Sequence, residues 1–315
     1  MRRIFVFGCP RSGTTIVQAM LARHPDVFTL PETAFFEHLF SNLRWRWGDR
    51  NVRARARRLR HRLGFARSSG RRALRQIQRS LLGPSAHNRS VPWRTRACTE
   101  RFVALLDDMA ERAGRSAWVE KTPNHLLYIP EIEAALPDAR FVHVIRRGID
   151  VVASVFDANL RFGEFDGGPA LWAGRWNRAA QIHRRQMGRP RHHFVFLEDL
   201  IADSEGEWLR LCRFLDIPPD SGLTDTCSQT IADLEKEPWK HAAVAGVPTR
   251  SEHKADELFG PRMQRWLHGQ LSSYDELRHA HAAARAGVPA TRHATDGAAG
   301  RTARDANPRS GRQAR

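Results

Sequence analysis

The stretch Arg3-Ile4-Phe5-Val6-Phe7-Gly8-Cys9-Pro10-Arg11-Ser12-Gly13-Thr14-Thr15 decides how this chain is read. Residues 3–7 form a short apolar run, the mark of a buried strand. The run breaks at a turn containing Gly, Pro and Ser, after which residues 14–23 read as a helix. A glycine-bearing turn between strand and helix aims backbone N–H groups and the positive end of the helix dipole at one point, where an anion is stabilised. Gly8 to Thr15 follows the spacing of the phosphate-binding loop G-x-x-x-x-G-K-[ST] except that Thr14 stands where Lys is expected. That change removes the usual contact to the β- and γ-phosphates of a nucleoside triphosphate. Arg11 brings a cation into the loop instead.

The same alternation recurs downstream. Residues 101–114 place Phe102, Leu105, Leu106 and Met109 on one helical face, and 116–119, 140–146 and 193–197 read as further strands. Helices are expected at 148–160 and 207–217. Short apolar strands alternating with helices predict an α/β fold around a parallel sheet. The strand at 141–145 ends in Arg146-Arg147, where a nucleoside triphosphatase would keep an acid near its Mg²⁺. Cations at that place repel a metal and attract an anion directly, so the expectation is a phosphate site that works without metal.

Composition sets the outer bounds. With 315 residues, 41% apolar and 9% aromatic, the chain can bury a sizeable core. No window approaches the ~18 apolar residues of a membrane-spanning helix, and the run at 3–7 is too short for a signal-peptide core. Cys9, Cys98, Cys212 and Cys227 show no C-x-x-C pairing, which argues against a disulfide framework or a cysteine zinc site. A cytoplasmic location is the expectation.

The net charge of +17 is unevenly spread: residues 41–100 hold 17 Arg and two acids, and 285–315 add seven Arg against two Asp. Leu59 and Leu63, then Leu74, Ile77 and Leu81, recur at helical spacing among the arginines. The segment at about 41–100 therefore reads as a basic helical insertion, a solvated flap over an acceptor cleft or a contact for an anionic surface, whether acceptor or lipid headgroups. Trp45, Trp47 and Trp93 lie there without a recognition motif for nucleic acid, which disfavours that partner. The expected organisation is one domain over 1–284, carrying this insertion, and a disordered basic tail over 285–315.

Pro10-Arg11-Ser12-Gly13-Thr14-Thr15 resembles the 5′-phosphosulfate loop of the sulfotransferases that use 3′-phosphoadenylyl sulfate (PAPS). Arg146-Arg147-Gly148-Ile149-Asp150-Val151-Val152-Ala153-Ser154 resembles their 3′-phosphate motif. The resemblance covers roughly 3–40 and 116–217. It implies a P-loop NTPase-like three-layer fold, PAPS as co-substrate and adenosine 3′,5′-bisphosphate as product. It also implies cofactor contacts from Arg11, Ser12, Gly13, Thr14, Thr15, Arg146 and Ser154. Arg250-Ser251 is the candidate for a late nucleotide contact. Residue chemistry agrees with two cradles, since Arg146 can grip one phosphate with its fork while the Ser154 hydroxyl donates to another oxygen.

Sulfuryl transfer to an acceptor hydroxyl needs charge neutralisation and a base. Arg11 supplies one cation. Lys121, one of only four lysines beside 47 arginines, supplies another at a strand end; the family implies that it faces the bridging oxygen. For the base, Glu32 in Leu30-Pro31-Glu32-Thr33 lies at the distance from the loop Arg that resembles the tyrosylprotein branch. His24, His38 and Glu120 are rivals, with Glu120 expected to pair with Lys121 or an arginine. That branch continues with an Arg where this chain has Ala34-Phe35-Phe36, which argues against protein tyrosine and suggests an apolar wall near the acceptor. The acceptor class (small molecule, sugar, lipid or peptide) stays open. Two rival readings are a P-loop kinase or NTPase, and a non-catalytic anion-binding protein using the Arg-rich segment.

Overall fold

A computed structural model describes residues 1–54, 59–83, 90–163, 165–219, 229–235, 237, 240–244 and 254–287. The tail beyond residue 287 lies outside them. Five strands form one sheet: β1 (Arg2–Gly8), β2 (Val27–Thr29), β3 (Ala117–Lys121), β4 (Arg140–Ile145) and β5 (His192–Phe196). Their order is β2-β3-β1-β4-β5, and every neighbouring pair is parallel. This is the α/β fold with a parallel sheet that the alternation predicts.

Alternate residues of β1 serve opposite faces. Phe5 and Phe7 join Trp118, Phe141 and Phe194 in one apolar layer, while Ile4 and Val6 join Val17, Met20, Leu21 and Val195 in the other. Both faces of the sheet are thus covered, which explains why its strands read as continuous apolar runs. The chain leaves β1 first toward β3 and β2, then crosses to β4 and β5, so β1 sits at the switch point where α/β folds open their ligand crevice. Register fixes what gathers there. Val6 pairs with Lys121 and Gly8 with Val144, so the residues after β1, at the end of β3 and after β4 converge.

Among the described residues, the elements beyond those legible in the apolar runs include β2 and a long helix after β4. β2 is only three residues long, too short for a periodic signal. The helix Pro169–Gln186 buries Trp172, Ala173, Trp176, Ala179, Ala180 and His183, a helical stripe spaced out by arginines and polar residues. The basic segment does contain helices, Leu43–Trp47, Leu59–Arg62 and Ser68–Leu82, with a further one beginning at Thr95. It is more than a solvated flap, however: Trp47, Leu74, Val91 and Cys98 belong to the main apolar core. Among the described residues no helix is long and apolar enough to cross a membrane.

Candidate active site

The loop after β1 is shaped by two glycines that tolerate no side chain. A Cβ on Gly8 would stand 2.3 Å from the carbonyl oxygen of Val144 on the adjacent strand. Gly13, at φ 99°, caps the helix Thr14–Ala22, and a Cβ there would meet Leu197 at 2.9 Å. Arg11 is itself left-handed, at φ 72°, a costly conformation for a side chain of this size. Ser12 closes the turn: its N–H (3.1 Å) and its hydroxyl (2.5 Å) both donate to the carbonyl of Cys9. Ser12 therefore shapes the loop with its side chain turned inward, whereas a direct cofactor contact was the expectation. A hydroxyl in so tight a turn finds its nearest acceptor inside the turn.

Arg11, Gly13, Thr14 and Thr15 line a cavity of about 860 Å³ together with Arg146, Arg147 and Ser154. The two sequence motifs, 143 positions apart, touch: Arg11 Nε donates to Ser154 Oγ at 3.1 Å, and Arg146 Nη1 donates to the Arg11 carbonyl at 3.3 Å. Arg146 begins directly after β4, its carbonyl held by the Trp176 indole at 3.0 Å. Asp150 braces the neighbouring Arg147 at 2.9 Å, and Glu198 accepts from the Arg147 N–H at 3.0 Å. Burial, and then the charge of Arg146, push the Arg11 guanidinium down to about 10. Two half-buried cations held this close create a demand for negative charge, which a bound anion would meet.

At the end of β3 the chain gathers a second cluster. Lys121 is fully buried, not an exposed loop residue, and its ammonium donates to Thr15 Oγ1 at 3.2 Å and to Glu32 Oε1. Lys240 donates to the same oxygen at 2.5 Å and also pairs with Glu237. Burial would raise the Glu32 carboxyl, but the two ammonium groups outweigh it and hold it down at about 2. Lys121 is lowered by burial, against the pull of Glu32. Glu120 does not pair with Lys121 or an arginine as expected. It points to the other side of β3 and accepts from Thr33, Thr122 and His125, each at 2.7 Å.

Residues 3–221 match the Sulfotransferase family over more than half of the chain. The chain belongs to that family. Its relatives include a protein-tyrosine sulfotransferase of Drosophila melanogaster, 27% identical over 86% of this chain and 48% of the relative. Another is protein-tyrosine sulfotransferase A of Caenorhabditis elegans, 27% identical over 69% of this chain and 50% of the relative. The chain thus spans about half the length of the curated relatives it matches. Among solved structures it is similar to the sulfotransferase domain of the Synechococcus PCC 7002 olefin synthase, at 18% identity and a TM-score of 0.47, covering 82% of this chain and 93% of that one.

In this sulfotransferase-family chain the structure brings together Arg11, Gly13, Thr14, Thr15, Glu32, Lys121, Arg146 and Ser154. Arg250 and Ser251 lie outside the described residues. The rival bases are elsewhere: His24 is buried between the Asp26 N–H and the Pro218 carbonyl, and neither it nor His38 lines the cavity. Phe35 and Phe36 are no acceptor wall. Both are fully buried, with Phe35 stacked on Phe102 at 4.2 Å between ring centroids. The cations that sequence reasoning missed are Lys240, Lys254 and Arg278, all on the cavity. The rarity of lysine that singled out Lys121 would have found the first two. Three of the chain's four lysines gather here, and the fourth, Lys236, lies outside the described residues.

Proposed function

We propose that this chain transfers the sulfuryl group of PAPS to an acceptor hydroxyl. The observation that carries the proposal is the pairing of two half-buried guanidinium cradles, joined through Arg11 and Ser154, with a carboxylate held at the same end of the sheet by Lys121. A cavity of about 860 Å³ falls within the range of nucleotide-sized ligand sites, about 300–1,000 Å³.

PAPS supplies an activated sulfuryl group and a bisphosphate leaving group: one S–O bond forms to the acceptor oxygen as the S–O bond to the 5′-phosphate breaks. The residues divide the remaining work. Arg11 and the amides of Gly13, Thr14 and Thr15 are placed to neutralise the phosphosulfate end, and Arg146 with Ser154 to hold the 3′-phosphate. Lys121 is placed to offset charge on the leaving oxygen. Glu32 takes the acceptor's proton. Its present ion pairs leave it a very weak base. An anion competing for Lys121 and Lys240 loosens those pairs and raises the basicity of Glu32 when the site is loaded.

Ala34-Phe35-Phe36 offers no cation directly after Glu32-Thr33 and turns both rings into the core, which weighs against an acidic tyrosine peptide as acceptor and leaves the acceptor class open. Calorimetric titration with adenosine 3′,5′-bisphosphate in EDTA, with ATP as comparison, tests the reading. Binding of the bisphosphate without metal is expected. Binding of ATP alone, and only with Mg²⁺, would transfer the chain to the kinase reading.

A further inference from the structure

The basic segment presents a surface that the transfer reaction does not use. Leu59, Leu63, Phe65 and Trp93 are 70%, 59%, 37% and 68% exposed, an unusual concentration of large apolar side chains in water. They form one patch. Leu63 N–H bonds to the Leu59 carbonyl at 3.0 Å, and Phe65 forms an antiparallel bridge with Arg94. The bridge is extended by Ala66 N–H to the Trp93 carbonyl at 2.7 Å and Thr95 N–H to the Gly64 carbonyl at 2.8 Å. Its underside is fixed, since Ala66, Leu74, Val91 and Cys98 are buried in the core.

The rim of the patch is cationic. Arg60, Arg62, Arg72, Arg94 and Arg96 are exposed around it, and Arg71 lies over the Trp93 ring at 3.6 Å. No Asp or Glu occurs between Asp49 and Glu100. Both bounding acids are already paired, Asp49 with Arg175 at 2.7 Å and Glu100 with Arg96 at 2.7 Å. The surface therefore combines an excess of positive charge, of which only Arg96 has an acidic partner among the described residues, with apolar side chains that water penalises.

We propose that this patch docks the protein on an anionic lipid bilayer. A soluble polyanion would satisfy the arginines but gain nothing from Leu59 and Leu63. A nucleic acid stacking on Trp93 would find one face of the ring already covered by Arg71 and would leave Leu59 and Leu63 in water. A lipid interface uses every feature at once: leucines enter the acyl boundary, the indole sits at headgroup level, and arginines meet phosphates with their stems along the apolar surface. The inference stands apart from the catalytic reading, because none of these residues lines the cavity.

Sedimentation of the full chain with vesicles tests it, comparing phosphatidylcholine alone with a phosphatidylglycerol mixture at about 0.1 M salt. Partition into the anionic vesicles is expected, with little into the neutral ones. The double variant Leu63→Ser, Trp93→Ser should weaken that partition about tenfold or more, as the loss of two interfacial side chains implies. Both side chains are exposed, so the fold should survive, and an unchanged melting temperature checks it. Equal partition of variant and wild type would show a charge-only surface and overturn the proposal. So would absence of vesicle binding, or binding of heparin or RNA in its place.

Discussion

Lys240 reaches across 208 sequence positions to place its ammonium 2.5 Å from Glu32 Oε1, the oxygen that Lys121 also holds. The pairing joins a late segment of the chain to the proposed base, which follows β2 and lies against Lys121 at the end of β3. It also sets the base's strength. Lys240→Met should free Glu32 from one of two cations and raise the acid limb of the pH–rate profile by about 1 unit, the scale of one close ion pair. An acid limb that stays in place would show that Lys240 has no hold on the reacting carboxylate.

Glu32 itself gives the sharper test. Glu32→Gln keeps the shape of the side chain but cannot accept a proton. It should retain bisphosphate binding and lower kcat by about 10²–10⁴, the range of general-base contributions. Turnover close to wild type would remove Glu32 from the chemistry and leave it as a partner for the two lysines.

The contact between Arg11 and Ser154 predicts a graded loss of affinity. Ser154→Ala removes one hydroxyl and should weaken bisphosphate binding by about tenfold, one hydrogen bond to a charged group. Arg146→Ala removes a half-buried guanidinium from the proposed phosphate cradle and should cost more, about 100-fold or beyond. Titration calorimetry reads both. Equal, small effects would place the 3′-phosphate somewhere else.

How much of this was legible depended on the residue. Arg11, Lys121 and Arg146 stand at ends of apolar strands, where the fold class alone predicts a ligand crevice, so position and chemistry agreed. The inward turn of Ser12 was not legible, because a hydroxyl inside a tight turn bonds within it. Lys240 was missed because it lies in a segment without periodicity, placed by long-range pairing with Glu32. The basic segment looked solvated because arginine dominates it, yet Leu74 is fully buried: one well-placed apolar face suffices to anchor a highly charged helix.

The loop makes a prediction about stability. Gly8 meets Val144 O so closely that any Cβ must push β1 and β4 apart. Gly8→Ala should destabilise the fold by about 1–3 kcal/mol, the usual cost of overpacking, and weaken bisphosphate binding because the loop begins there. Denaturant unfolding measures the first effect. A midpoint unchanged from wild type would mean that the sheet yields at this strand end.

A buried histidine chain behind the sheet predicts how the protein responds to acid. The Glu133 carboxylate accepts from His192 Nε2 at 3.1 Å, which leaves His192 Nδ1 to accept from His143 Nε2 at 2.9 Å. His143 Nδ1 then accepts from His183 Nδ1 at 2.8 Å, so each ring has one tautomer and all three are neutral. Arg189 and Arg191 pair with Glu133, and Arg189 also sets positive charge near His143; Glu133 favours a proton on His192, but burial outweighs it. Burial drives His183 down to about 3 and lowers His143 and His192 as well. In the unfolded chain these imidazoles bind protons from about pH 6.5 downward, so below that pH the unfolded state holds more protons than the native one. The stability they contribute is fully present above about pH 6.5 and falls as the pH drops toward 3. Each buried ring adds up to about 1.4 kcal/mol per pH unit to the slope. His183→Phe should therefore be less stable than wild type at pH 8, where His143 loses its donor, yet lose stability less steeply between pH 6.5 and 4. Parallel slopes for the two proteins across that interval would show that His183 takes up a proton in the folded state, against the burial that surrounds it.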